Sequence, residues 1–283
     1  MKSFPRLLGA VCTLLLPQVA TAADAVPSVL AAKPLWEIGI SGIGAYIYDY
    51  PGSRHNSANN VVLPFAIYRG QIFSADQEGL RGKLAKTRRL EFNLSVDAGF
   101  STNSKNNEDR RGLPNLDYTV EVGPSLEYKL GIWPGRVLTA VAQGRAVFAV
   151  NTDRFDYIGL ALEPQLIYEQ INFLHPGLAL RVGLGPKFGY DGFNDYYYDV
   201  APIYATPTRP AYAARSGYQF TALSTRLFYP VNQRLSVFVA NQLLVGQGAA
   251  NEGSPLYKRD FNYAVGAGLA YSLFISKRTT LSN

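Results

Sequence analysis

The chain has few of the residues on which most enzymes and helical membrane proteins depend. It contains one cysteine, Cys12, and two histidines, His55 and His175, in 283 residues. Because Cys12 lies in the N-terminal segment, the rest of the chain cannot form a disulfide, a thiol nucleophile or a thiolate metal site. That remainder also lacks an apolar run of about 18 residues, which excludes a transmembrane helix.

The N-terminal segment has the features of a secretory signal peptide. Lys2 and Arg6 precede an apolar core, and Ala20-Thr21-Ala22 matches a cleavage site with small residues. A short membrane anchor is the alternative, but the apolar core is too short to span a bilayer comfortably. We therefore expect residues 1–22 to be removed on export and residues 23–35 to form a periplasmic N-terminal segment.

Polar and apolar residues alternate in several later segments, which is typical of β-strands with one apolar face. In 90–100 the apolar face holds Leu90, Phe92, Leu94 and Val96, and the polar face holds Glu91, Asn93 and Asp97. A soluble β-sandwich and a transmembrane barrel both produce this pattern. The segments exceed the ~5–6 residues of an average soluble strand, and tyrosine and phenylalanine cluster near their ends. Both features favour a barrel whose apolar face meets lipid.

The spacing of these segments predicts the architecture. The candidate strands are 36–47, 61–75, 88–100, 117–130, 136–149, 156–169, 178–190, 217–229, 234–246 and 262–274. Short links at 131–135, 170–177 and 230–233 alternate with long polar links at 48–60, 101–116, 191–216 and 247–261. Bacterial barrels have short periplasmic turns and long external loops in this order.

The predicted fold is therefore an all-β, antiparallel transmembrane β-barrel of ten strands at 36–274, followed by a C-terminal tail at 275–283. One region departs from the pattern, because residues 76–87 are long for a turn. An extra hairpin in that region would give twelve strands, which is the alternative count.

Short motifs occur in order along most of the chain that follows the signal segment. They are Trp36-Glu37-Ile38-Gly39, Tyr48-Asp49-Tyr50-Pro51-Gly52-Ser53, Leu63-Pro64-Phe65-Ala66-Ile67-Tyr68-Arg69-Gly70, Gly79-Leu80-Arg81-Gly82, Asp195-Tyr196-Tyr197-Tyr198-Asp199-Val200 and Ser254-Pro255-Leu256. In these motifs and their spacing the chain resembles the MipA/OmpV family of outer-membrane proteins, also called the MltA-interacting protein family. The loop positions within them are Tyr50, Pro51, Gly52, Tyr68, Arg69, Gly70, Ser254 and Pro255.

The resemblance implies an outer-membrane β-barrel without enzymatic activity or a cofactor. The named family member is described as a scaffold that joins a murein-cleaving transglycosylase to a murein synthase. By resemblance, we expect a non-enzymatic scaffold of the cell envelope whose partners are outer-membrane lipid and murein-remodelling enzymes. Nucleic acid is not expected as a partner, because no basic patch interleaves with aromatic residues.

Seven charged residues fall on the polar faces of the candidate strands, and we expect them in the barrel lumen. They are Glu91, Asp97, Glu121, Glu127, Glu163, Arg181 and Lys187. Opposite charges in a lumen either pair and plug the barrel or line a path for water. A barrel of ten or twelve strands is narrow beside a sixteen-stranded porin, which favours structural pairing. A narrow channel for small solutes is the alternative function.

Arg69 is a further candidate because of the residues that share its parity. Leu63, Phe65 and Ile67 alternate with it and form the apolar set that we expect to face lipid. An arginine on that face is expected at the membrane interface, where its stem lies along apolar surface and its head meets water. Contact between Arg69 and lipid phosphates is the functional hypothesis for this position.

Two loop clusters raise hypotheses of catalysis and metal binding. His55 lies near Ser53 and Ser57, so an acyl-chain hydrolase at the barrel rim is one hypothesis. Loop 191–216 carries three aspartates four residues apart, which suggests a calcium site although the pattern fits no known calcium loop; they are Asp191, Asp195 and Asp199. A solvated histidine and ordinary loop packing are the favoured interpretations of the two clusters.

Overall fold

The computed structural model describes residues 33–69, 73–76, 79–82, 85–87 and 89–280. The expected signal peptide at 1–22, most of the segment at 23–35 and Gly70 lie outside the described residues. Among those that are described, no helix is long and apolar enough to cross a membrane. Helical structure there consists of α1 (Phe193–Tyr198) and two 3-10 turns, Glu108–Arg110 and Pro202–Tyr204.

The described chain is built from ten long strands and five short ones. The long strands are β2 (Trp36–Tyr48), β3 (Asn56–Arg69), β7 (Leu90–Gly99), β8 (Tyr118–Trp133), β9 (Arg136–Val150), β10 (Phe155–Gln170), β11 (Ala179–Tyr190), β12 (Gly217–Pro230), β13 (Leu235–Val245) and β14 (Phe261–Ile275). The short strands are β1 (Lys33–Pro34), β4 (Phe73–Asp76), β5 (Gly79–Gly82), β6 (Ala85–Lys86) and β15 (Thr279–Thr280).

All the long strands belong to one antiparallel sheet. Its order is β5-β4-β3-β2-β14-β13-β12-β11-β10-β9-β8-β7-β6. The first and last long strands in sequence, β2 and β14, pair with each other, and β5 lies against β7. The sheet therefore curls until its two ends approach each other, which confirms the predicted antiparallel barrel architecture with ten long strands.

The structure corrects several boundaries in the first third of the chain. β3 was expected at 61–75 but runs from Asn56 to Arg69, so the link expected at 48–60 is the shorter loop 49–55. The reason is that the polar residues after His55 pair with β2, as far as Asn56 opposite Tyr48. Among the described residues of the region of the possible extra hairpin, the strands are β4, β5 and β6, none of which is long enough to cross a bilayer.

The C-terminal tail packs against the start of the barrel. In β15, Thr279 and Thr280 pair antiparallel with Pro34 and Lys33 of β1. The Ser276 N–H donates to the Trp36 carbonyl at 2.9 Å. The described part of the tail, 275–280, thus extends the pairing of the first and last long strands.

The outer surface of the sheet is apolar along the middle of the strands. Exposed side chains there include Ile38, Ile40, Val62, Leu126, Leu130, Leu162, Leu166, Val239, Val265 and Leu269. Exposed aromatic side chains lie nearer the strand ends, among them Trp36, Tyr46, Tyr118, Trp133, Tyr157, Tyr190 and Phe261. Soluble proteins rarely expose a continuous apolar surface of this kind, whereas a lipid-facing band between aromatic girdles requires it.

Candidate functional site

Five charged side chains from adjacent strands meet inside the barrel, in the half nearer the long loops. We call this group the lumen ion cluster, and its members are Asp97, Glu121, Arg145, Glu163 and Lys187 on β7, β8, β9, β10 and β11. Arg145 Nε donates to Glu121 Oε2 at 2.9 Å, and Lys187 Nζ donates to Glu121 Oε1 at 2.6 Å. Arg145 also forms an ion pair with Glu163 and lies 3.6 Å from Asp97.

The centre of this cluster is Arg145, whose side chain is only 1% exposed. Burying an ion removes its hydration, and that cost is offset only when partners with good geometry surround it. Three carboxylates and the side-chain oxygen of Gln143 supply these partners. The cluster therefore joins the inner faces of five adjacent strands in a network in which each charge depends on the others.

The other expected lumen residues lie nearer the short turns. Lys129 Nζ lies 3.8 Å from Glu91 Oε2. Asn93 Nδ2 donates to Glu127 Oε1 at 3.0 Å. Arg181 Nη1 donates to Glu169 Oε1 at 2.9 Å. The structure thus places all seven expected residues on inner strand faces, divided between the lumen ion cluster and these lower polar pairs.

The long loops fold over the adjacent mouth of the barrel. Loops 49–55, 100–117, 191–216 and 246–260 contribute to one apolar cluster, which we call the loop cap. Its buried members are Tyr50, Leu113, Leu116, Tyr198, Val200 and Leu256. Helix α1 extends the cap towards the lumen, because Phe193 packs with Val147 and Ala161 on the inner wall. The Lys187 ammonium lies 5.5 Å from the centre of the Phe193 ring, so the cap contacts the lumen ion cluster.

The turn Tyr50-Pro51-Gly52-Ser53 lies at the centre of the loop cap. The Tyr50 hydroxyl donates to the Leu256 carbonyl at 2.8 Å, and the Tyr198 hydroxyl donates to the Pro51 carbonyl at 3.0 Å. Gly52 has a φ of +82°, and a Cβ there would lie 2.6 Å from the Tyr257 ring. Glycine is needed at this position both for its backbone conformation and for its size.

Ser254 and Pro255 lie in the loop that closes the cap from the opposite side. Ser254 Oγ donates to the Tyr198 carbonyl at 2.7 Å and accepts from the Leu256 N–H at 3.2 Å. Ser254 is buried, and Pro255 is partly buried beside it. Both motif loops therefore have a structural role, because they connect three external loops to one another.

Burial in the loop cap changes the acidity of its polar side chains. It raises the pKa of the Tyr50 and Tyr198 hydroxyls well above the ordinary value, and it raises the pKa of Tyr196 to about 12. Burial also lowers the pKa of Arg110. That guanidinium lies over the Tyr50 ring at 5.4 Å and donates to the Tyr197 carbonyl at 2.9 Å. Neutral phenols thus fit the packed cap better than phenolates.

A family model described as MltA-interacting protein MipA matches residues 40–273. The chain belongs to the MipA family. Its family and its apolar outer band place it in the outer membrane as a β-barrel. No curated protein sequence matches it.

Several solved outer-membrane proteins have a similar strand arrangement at low sequence identity. A NanC porin is 7% identical, with coverage of 83% of this chain and 100% of the porin and a TM-score of 0.43. The COG4313 outer-membrane channel from Pseudomonas putida F1 is 12% identical, with coverages of 89% and 99% and a TM-score of 0.45. Outer-membrane phospholipase A from Escherichia coli is 13% identical, with coverages of 90% and 100% and a TM-score of 0.37.

The lipid-facing orientation expected for Phe65 and Ile67 is wrong. Phe65 and Ile67 are 6% and 2% exposed and face the barrel interior, whereas Val62 of the opposite parity is 74% exposed. Both faces of β3 are apolar at this level, so the alternation of polar and apolar residues does not show which face meets lipid. Tyr68 and Arg69 are the last residues of β3 rather than loop positions, and the contact of Arg69 with lipid phosphates stays a prediction.

The two loop hypotheses gain no support from the geometry. The Ser53 hydroxyl contacts the backbone of His55, at 3.1 Å from its N–H, while the His55 ring lies 3.5 Å from Asp109. This is not the arrangement of a nucleophile and its base. Asp199 accepts from the Ala214 N–H at 3.2 Å, and the described residues contain no group of three acidic, histidine or cysteine side chains placed to hold a metal.

Arg145 is the principal site residue that alternation does not reveal. Its inner-face neighbours on β9 are apolar as well as polar, and Val141 and Val147 are both buried. A single arginine on a mostly apolar face gives no alternating pattern. The signal for Arg145 is its position, because an arginine inside a strand whose other charge is the terminal Arg136 needs carboxylates from neighbouring strands.

Proposed function

We propose that this outer-membrane barrel acts as a non-enzymatic scaffold, and that murein-remodelling enzymes are its partners. The observations that support the proposal are the paired charges and the packed loops at the external end of the barrel. The lumen ion cluster joins the inner faces of β7 to β11, and the loop cap packs above it. A barrel closed in this way offers its wall and its periplasmic turns, rather than a pore, as the surfaces available for function.

The family name supplies the class of partner, since the family model is described as MltA-interacting. The periplasmic end of the barrel supplies a candidate surface. Leu174, in the turn between β10 and β11, is 87% exposed and has a φ of +59°. Val231, in the next periplasmic turn, is 49% exposed. Exposed apolar side chains on turns that face the periplasm are suited to docking a periplasmic enzyme.

A binding measurement with a purified murein transglycosylase tests the proposal. Leu174→Asn introduces a residue that tolerates positive φ and removes the apolar side chain. We expect this substitution to weaken binding. Ile203→Asn is the matched control, because Ile203 is 85% exposed on an external loop at the opposite end of the barrel. Equal loss of binding in both variants, or no binding by the native protein, would count against the scaffold.

The alternative function is a narrow channel for small solutes. Planar-bilayer recording with the purified barrel distinguishes the two, because paired lumen charges beneath a packed loop cap should give no regular conductance steps. Conductance steps in the native protein would favour the channel, particularly if they become larger in the double variant with Glu163→Ala and Arg145→Ala. A silent native protein together with a conducting double variant would support the plugged scaffold.

A further inference from the structure

The wall of the barrel contains a gap in its hydrogen bonding between β3 and β7. On one side β3 pairs with β2 along its whole length, but on the other it meets β4 only at Tyr68 and Arg69. Similarly, β7 meets β6 only at Glu91 and Phe92. Within the described parts of these strands, no backbone hydrogen bond joins 56–67 to 93–99.

This gap is closed at both ends and is therefore a window rather than an open slot. At the external end, Thr102 Oγ1 donates to the Asp49 carbonyl at 2.7 Å, and Arg54 forms two hydrogen bonds of 2.9 Å with Asp109. At the periplasmic end, β4, β5 and β6 cover the space between the two strands. The unpaired stretch between these ends lies at the level of the apolar outer surface, where Val62 is exposed.

The lumen wall on the β3 side of the window is apolar, unlike the typical polar interior of a membrane barrel. Val61, Leu63, Phe65 and Ile67 line the inner face of β3, and Phe65 and Ile67 are buried. Next to them, Ile43 and Phe238 pack with Val61 and Phe228. The lumen ion cluster lies on β7 to β11, so the β7 edge of the window is polar. The window is thus bordered by an apolar inner face on β3 and a polar inner face on β7.

We infer that the window admits an acyl chain of a membrane lipid, which lies against the apolar inner face formed by Val61, Leu63 and Phe65. A hydrocarbon chain matches both the lining and the medium outside the window. A polypeptide strand would satisfy the free backbone edges, but the contacts at the two ends of the window oppose its lengthwise entry. The lipid site lies on a different surface from the periplasmic turns and does not depend on the scaffold function.

Fluorescence quenching in bilayers of brominated phosphatidylcholine tests this inference. In a background of Trp36→Phe and Trp133→Phe, a single tryptophan is introduced as Phe65→Trp, inside the window. Phe220→Trp is the inner-wall control, because Phe220 is buried on β12, away from the window. Tyr271→Trp, on the outer face of β14, is the lipid-contact control. Lipids with bromine at several chain positions are compared, so that a difference in bilayer depth among the three tryptophans is not mistaken for a difference in lipid contact.

We expect lipid bromine to quench Phe65→Trp severalfold more than Phe220→Trp and nearly as much as Tyr271→Trp. Quenching of Phe65→Trp no greater than that of Phe220→Trp would overturn the inference. Val61→Trp serves as a second reporter if the bulkier ring at position 65 prevents the heat-modifiable gel shift of a folded barrel. The same comparison with Phe220→Trp then decides the result.

Closing the window supplies the decisive control. Val62 and Leu94 lie on the outer faces of β3 and β7. After Val62→Cys and Leu94→Cys, the two cysteines can be joined by a disulfide or, across a wider gap, by a bis-maleimide. The link should reduce quenching of Phe65→Trp to the level of Phe220→Trp. A matched link between Phe92→Cys and Leu126→Cys, which are paired on β7 and β8, should leave it unchanged. Quenching that persists after the window is closed would contradict entry there.

A second copy of the chain is the competing occupant, and the same cysteine identifies it. If two barrels met at their windows, Val62→Cys alone would form a covalent dimer in the bilayer. Such a dimer in high yield would overturn the lipid site. A monomeric Val62→Cys barrel with quenched Phe65→Trp would support it.

Discussion

Arg145 on β9 donates its Nε hydrogen to Glu121 on β8, and the 2.9 Å bond lies entirely inside the barrel. The same guanidinium pairs with Glu163 on β10, so one side chain connects three neighbouring strands on their inner faces. Because the Arg145 side chain is 1% exposed, water cannot replace these partners if they are lost. The stability of the upper barrel should therefore depend on this residue more than on any of the lower ion pairs described.

Arg145→Met should strongly destabilise the barrel. The variant leaves three buried carboxylates facing one remaining cation, Lys187, and breaking a buried ion pair in this way costs about 3–5 kcal/mol. Unfolding of the purified protein in detergent, followed by the heat-modifiable gel shift, measures the change. Arg181→Met is the control, since Arg181 is 26% exposed and its loss should cost about 1 kcal/mol or less. Equal effects of the two substitutions would contradict the central position of Arg145.

The fold was predictable because its determinants are local in sequence. The two-residue alternation in segments such as 90–100 and the order of short and long links require no knowledge of distant contacts. The same alternation failed on β3, where Phe65 faces inward and Val62 faces outward and both are apolar. A strand that is apolar on both faces has no sequence signal to orient it.

The loop cap was not predictable, for a different reason. Its contacts join residues far apart in the chain, such as the Tyr50 hydroxyl and the Leu256 carbonyl, which are 206 positions apart. The composition of Tyr50-Pro51-Gly52-Ser53 indicated a turn but gave no information about what the turn would contact. The position of Arg145 was hidden similarly, because its carboxylate partners lie on other strands.

Gly52→Ala should loosen the loop cap without affecting the membrane-spanning strands. The new Cβ would lie 2.6 Å from the Tyr257 ring, and the φ of +82° would also be unfavourable for alanine. Gly112→Ala is the matched control, since Gly112 has a φ of +88° but nothing within 4 Å of the added Cβ. Limited proteolysis of intact cells should cleave the external loops faster in Gly52→Ala than in Gly112→Ala. Similar rates would show that backbone strain, and not packing against Tyr257, accounts for the effect.

The loop cap should also loosen at alkaline pH. An unperturbed tyrosine has a pKa near 10, and burial raises that of Tyr196 to about 12. A raised pKa in the folded state means that neutral Tyr196 stabilises the cap fully below about pH 10, and this contribution is lost as the pH rises through about 12. Tyrosinate absorbance at alkaline pH should show a late-titrating group that Tyr196→Phe removes. A titration curve identical in the variant and the native protein would contradict the assignment.

Asp109 should anchor the loop 100–117 to the neighbouring external loops. Its side chain is 6% exposed and is approached by Arg54 at 2.9 Å, by the His55 ring at 3.5 Å and by Lys258 at 4.0 Å. Asp109→Asn leaves Arg54 and Lys258 without their shared carboxylate and should cost about 1.5–3 kcal/mol, the range for hydrogen bonds to charged groups. Glu108→Gln removes a carboxylate that is 67% exposed and should cost less than about 1 kcal/mol. The rate at which a protease cuts loop 100–117 compares the two, and it should rise clearly for Asp109→Asn alone.

Because Arg54 also holds the external end of the window between β3 and β7, Asp109→Asn should in addition increase the quenching of Phe65→Trp by brominated lipid. Faster proteolysis without increased quenching would show that the Thr102–Asp49 contact holds that end of the window by itself.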